Sequence, residues 1–131
     1  MHIEVTREVI EAMQRAARLS HPREGCGILL GRDVRIERLL ETANVHPTPR
    51  THFEVDPKAL IDAHREEREG GPQVLGYYHS HPLGDTHPSA TDRASAARDG
   101  KVWAIAAGAD VAFWRDGEEE FTPLSYMVAD R

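Results

Sequence analysis

A single cysteine, Cys26, occurs in 131 residues, so the chain can form no internal disulfide and must rest on a packed core. With no zinc-finger cysteine spacing either, a reducing cytoplasm is the expected setting. No apolar run approaches the roughly 18 residues of a membrane span. The first residues, MHIEVTREVIEAM, interrupt their apolar side chains with charges and so lack a signal-peptide core. No block of Lys and Arg is present, and the formal net charge is -6, which argues against a nucleic-acid footprint. There is no internal repeat and no low-complexity tract. What remains is 40% apolar and 29% charged, the balance of a soluble globular protein. One domain over residues 1–131, with neither nucleic-acid nor membrane partner, is expected. A homodimer stays open.

Hydrophobic periodicity supplies the elements. A strand over His2 to Val5 leads to Thr6, a good helix N-cap. Val9, Ile10, Met13, Ala16, Ala17 and Leu19 then recur at helical spacing and predict an amphipathic helix from Arg7 to Leu19. Glu24 to Gly31 reads as a buried strand, and Val34 to Val45 as its antiparallel partner after a turn at Gly31 to Asp33. A short strand is expected at Thr51 to Val55. Asp56-Pro57 opens a helix to about Glu69, with proline at the first helical position. Val74 to Ser80, Lys101 to Ala107, Val111 to Trp114 and Phe121 to Val128 read as further strands, and Ser89 to about Arg98 as a short helix. The interleaving predicts an α/β fold, a mixed central sheet flanked by helices in three layers.

The chemistry concentrates in His79-Ser-His-Pro-Leu-Gly-Asp-Thr-His-Pro-Ser-Ala-Thr-Asp92. On a strand, His79 and His81 leave the same face. A loop stiffened by Pro82 and Pro88 can then bring Asp92 to them. Two neutral nitrogens and an anionic oxygen suit zinc, and three protein ligands leave one position for water, the arrangement of a catalytic site. Ser89-Ala-Thr-Asp92 also has the form of a capping box. Ser89 can therefore cap the helix or point its hydroxyl at the reaction centre, and the sequence does not separate the two. Hydrolysis by such a site needs a general acid/base to take a proton from the water and hand it to the leaving amine. Glu24, at the mouth of a buried strand, is the candidate.

Glu24 followed downstream by His79-Ser80-His81-Pro82, six residues, Ser89, two residues and Asp92 resembles the signature of the JAMM, or MPN-plus, zinc metalloproteases at every defining position. The order of expected elements is similar to that family over most of the chain. The resemblance implies an MPN-like fold, Zn2+ held by His79, His81 and Asp92, Glu24 as acid/base, and Ser89 as oxyanion donor. It also implies an amide- or isopeptide-cleaving peptidase acting after the tail of a ubiquitin-like protein. Lacking insertions, the chain looks most like the short prokaryotic members, several of which process sulfur-carrier proteins ending in Gly-Gly. A JAMM peptidase for cell-wall or phage-tail peptides would share the site. A non-catalytic MPN scaffold predicts missing ligands, and none is missing. Cys26 is expected as a small buried residue, His87 as an exposed loop residue, Trp103 as core or interface, and one of Tyr77 and Tyr78 as core.

Overall fold

The computed structural model describes residues 2–130. In chain order the elements are β1 (His2–Thr6), α1 (Arg7–Ser20), β2 (Cys26–Arg32), β3 (Arg35–Thr42), α2 (Pro57–Arg68), β4 (Gln73–Ser80), α3 (Ala90–Ser95), β5 (Val102–Ala107), β6 (Asp110–Asp116) and β7 (Phe121–Ala129). The strands lie in the order β1-β3-β2-β4-β5-β6-β7, and β7 pairs in parallel with β1, so the mixed sheet curls until it closes on itself.

Strand β2 runs through the middle, and both of its faces are buried, which is why its apolar residues run on without alternating. Leu29 faces α1 and joins Val9, Met13 and Ala16 in a core with Ile3, Ile36, Tyr78, Ala104 and Phe113. Ile28 and Leu30 face the other way, onto Ala59, Leu60 and Ala63 of α2. The layers are thus α1, sheet and α2, as the pattern implied. Thr6 caps α1 by accepting the Val9 N–H. Tyr78, fully buried, donates its hydroxyl to the Met13 carbonyl and ties β4 to α1. Leu19 departs from expectation: it is 76% exposed, off the apolar stripe at the last turn.

Boundaries also differ at several elements, three of them near the site. The expected strand Thr51 to Val55 is reduced to one bridge, Asn44 to Val55, because the Asn44 side chain takes up main-chain groups of His52 and Glu54 that a strand would need. Strand β2 starts at Cys26, leaving Glu24 in the loop before it. Helix α3 stops at Ser95; beyond it Asp116 of β6 accepts the Arg98 N–H and draws the chain off the helical path.

The metal-site strand is placed by a close contact. At Gly76 a Cβ would lie 1.8 Å from the Val102 carbonyl oxygen, so only glycine lets β4 approach β5 there. That parallel pairing sets His79 opposite Ile105, and it continues past the end of β4 through a hydrogen bond from His81 N–H to the Ala106 carbonyl.

Candidate metal centre

Alternation along the end of β4 sends His79 and His81 to one side, as the sequence implied, while Ser80 turns to the other and accepts the Gly25 N–H at 2.8 Å. The capping box at α3 delivers the third group: Ser89 Oγ accepts the Asp92 N–H and the Asp92 carboxylate accepts the Ser89 N–H. The same carboxylate reaches both imidazoles, 3.1 Å from His79 Nε2 and 3.0 Å from His81 Nε2, with the two Nε2 atoms 3.1 Å apart. All three residues are buried.

This triangle fits zinc. Ligands roughly 2.0–2.1 Å from a tetrahedral centre stand about 3.3 Å from one another, close to the separations found. The protonation states of His79 and Asp92 fit as well. Burial holds His79 below the ordinary imidazole range, hence neutral. Burial would raise the Asp92 carboxyl, but its close contacts with the two imidazoles, together with the Ser89 N–H, outweigh it and hold the group well below the usual carboxylate range. His81 Nδ1 lies 2.6 Å from the Asp85 carbonyl, which can only accept. In the neutral ring the hydrogen therefore sits on Nδ1 and Nε2 keeps its lone pair. Burial lowers the His81 pKa, but its contacts with Asp92 and the Asp85 carbonyl outweigh that and raise it, so a bound cation would have to displace the Nε2 proton. His79 is oriented differently. Its Nδ1 is buried without a hydrogen-bond partner among the described residues. Phe53 stacks on the ring at 4.3 Å and Trp103 meets it edge-on at 5.5 Å, so packing rather than a hydrogen bond sets its plane.

Glu24, His81 and Ser89 line one cavity of about 490 Å³, bounded by Arg50 and Thr51 on one side and the Pro82 to Pro88 loop on the other. Glu24 is buried, and its Oε1 has no hydrogen-bond partner among the described residues. Burial, with the Asp92 charge adding to it and His81 opposing, pushes its carboxyl up to about 7. A carboxyl poised there can both take and return a proton near neutral pH.

A buried carboxyl thus stands beside a buried His-His-Asp triangle. The family model described as prokaryotic homologs of the JAB domain matches residues 6–117. The chain belongs to that family. A desampylase of Haloferax volcanii is 38% identical over 98 residues, covering 66% of this chain and 70% of the relative. A probable TtuB-protein conjugate cleaving protease of Thermus thermophilus is 42% identical over 71 residues, 54% of this chain but 47% of that longer protein. A solution structure of a Desulfitobacterium hafniense protein superposes with a TM-score of 0.86 at 28% identity, over 98% of this chain and 94% of the other. The JAMM resemblance read from the motif is thus borne out, and with it the JAB fold and membership of a peptidase family.

Several residues that shape this JAB-fold site carry no signature of their own. Phe53, Trp103 and Asp85 orient the imidazoles from a loop, a neighbouring strand and a carbonyl, and none has a motif spacing to His79. Asn44 looks in sequence like any turn residue. Ser80 alone had a signal, because alternation between two ligands places it on the opposite face. Of the other histidines, His46 and His52 stack on each other at 4.6 Å outside the triangle, and His87 is exposed against Trp114.

Proposed function

We propose that this chain is a zinc-dependent metallopeptidase and isopeptidase that hydrolyses the amide bond after the C-terminal Gly-Gly tail of a ubiquitin-like or sulfur-carrier protein. One observation carries the reading: a buried carboxylate with an uncommitted oxygen shares a cleft with His81, one corner of a His-His-Asp triangle of zinc dimensions.

His79, His81 and Asp92 would hold the ion. The chemistry such an ion supplies is Lewis acidity, which lowers the pKa of water toward about 7. Glu24 takes the proton released as the scissile carbonyl is attacked, then returns it to the departing amine. Ser89 keeps a proton to give. Its oxygen accepts from Asp92 N–H, which leaves the O–H free to donate to the oxyanion. A Gly-Gly tail suits such a site, because without side chains it can lie extended and hydrogen-bond through its backbone. The two named relatives support the class, one being a desampylase and the other a probable protease that cleaves TtuB-protein conjugates. Among the described residues no helix is long and apolar enough to cross a membrane. A lone, buried, unpaired cysteine suits a reducing compartment, and we place the enzyme in the cytoplasm.

The test is cleavage of an amide adduct of a Gly-Gly-ending carrier protein, read by intact mass. Release of carrier with a free C-terminal glycine is expected, and its loss in Glu24→Gln with zinc retained. Cleavage at any other bond, or a fully active Glu24→Gln, would overturn the proposal.

A further inference from the structure

Glu24 lies outside every regular element, so no strand ladder fixes it. Its main chain is nevertheless gripped on both sides. Toward β4, Gly25 N–H donates to Ser80 Oγ and Ser80 N–H donates to the Gly25 carbonyl. On the other side Glu24 N–H donates to the Pro49 carbonyl at 2.7 Å, and the Glu24 carbonyl accepts from Asn44 Nδ2 at 3.0 Å.

Asn44 uses its whole hydrogen-bonding capacity in this role. Nδ2 also donates to the His52 carbonyl at 2.9 Å, with Pro49 O a longer contact at 3.5 Å. Oδ1 accepts the N–H groups of His46 and Glu54 at 3.1 and 3.0 Å. The amide can sit only this way round, since a flip would set Nδ2 against two N–H groups and Oδ1 against carbonyls. The carboxamide thus has two separable halves. Its oxygen serves only the loop between β3 and α2; its nitrogen bonds that loop at His52 and is the part that ties it to Glu24.

We infer that Asn44 is the positioning residue for the acid/base: its amide nitrogen sets the main chain from which the Glu24 carboxylate reaches the metal site. The inference rests on the reading of Glu24 as proton shuttle and extends it. With Oε1 unpartnered, much of the carboxylate's placement is inherited from the backbone. Displacement of a reacting group by about 1 Å can cost on the order of 100-fold in rate.

Asn44→Asp keeps an acceptor for His46 and Glu54 and removes the donor, setting an oxygen against the Glu24 carbonyl. Expected on the carrier-protein adduct is a kcat lower by about 10- to 100-fold, with KM and zinc content near wild type. Asn44→Ala, measured alongside, should show the same split if Asn44→Asp yields too little folded protein. An unchanged kcat in a folded variant overturns the inference, and so does a loss confined to zinc occupancy or folded yield. Glu24→Gln in the same assay separates the two readings. If it is as active as wild type, the shuttle assignment falls and this inference with it. If it is inactive while Asn44→Asp turns over normally, only the role of Asn44 falls.

Discussion

Ser89 and Asp92 hold each other by a reciprocal pair of hydrogen bonds, hydroxyl to Asp92 N–H at 3.0 Å and carboxylate to Ser89 N–H at 2.9 Å. Helix capping and the placing of this carboxylate against both imidazoles are therefore one device here. The two sequence readings of this segment are compatible rather than rival.

Removing the hydroxyl separates its two duties. Ser89→Ala should lose about 1 kcal/mol of stability through the cap, measured by urea unfolding. It should also slow kcat by about 10- to 1000-fold per folded molecule, the range for a lost oxyanion donor. Folded protein that works at the native rate would leave Ser89 a cap and nothing more.

Metal content should follow the triangle. Wild type is expected to bind about one zinc per chain, and His79→Ala or Asp92→Ala to lose it, by elemental analysis of dialysed protein. Chelation should abolish turnover, and added zinc restore it. Undiminished occupancy in either variant would disprove the ligand assignment.

Phe53 offers a subtler check. It stacks on an imidazole that has no hydrogen-bonded partner at Nδ1, so the ring's plane depends on packing. Phe53→Ala should weaken zinc affinity by about 10- to 100-fold, the usual cost of losing an outer support. Competition with a chromophoric chelator reads this directly, and wild-type affinity would show that β4 and Trp103 suffice.

Cys26 should be inert. Burial pushes its thiol above the ordinary range, with the Thr42 hydroxyl opposing and Glu24 adding to the rise. A raised pKa means less thiolate, the reactive form, at any pH below it. Native protein at about pH 8 should resist iodoacetamide and label only on unfolding. Equal labelling rates in the two states would show the thiol to be open to solvent.

How much of this was legible beforehand follows from range. Helix α1, with Thr6 as cap and Val9, Met13 and Ala16 inward, was readable because its pattern and cap are set within a few residues. So was the meeting of His79, His81 and Asp92, since strand alternation and a capping box lie within fourteen residues of one another. The Thr51 to Val55 strand failed because a side chain 10 residues from Glu54, Asn44, bonds the backbone first.

The sequence by itself determined which residues could hold a metal, and in what local geometry, because pleat and helix-cap stereochemistry are short-range properties of the chain. Only the tertiary structure decided how Glu24 is brought to a triad that begins 55 residues later at His79. Closure of β7 on β1, the β4–β5 contact at Gly76, the Asn44 brace and the Phe53 stack all join distant segments. Their cost is the entropy of closing long loops, and it is offset only when the whole core assembles at once.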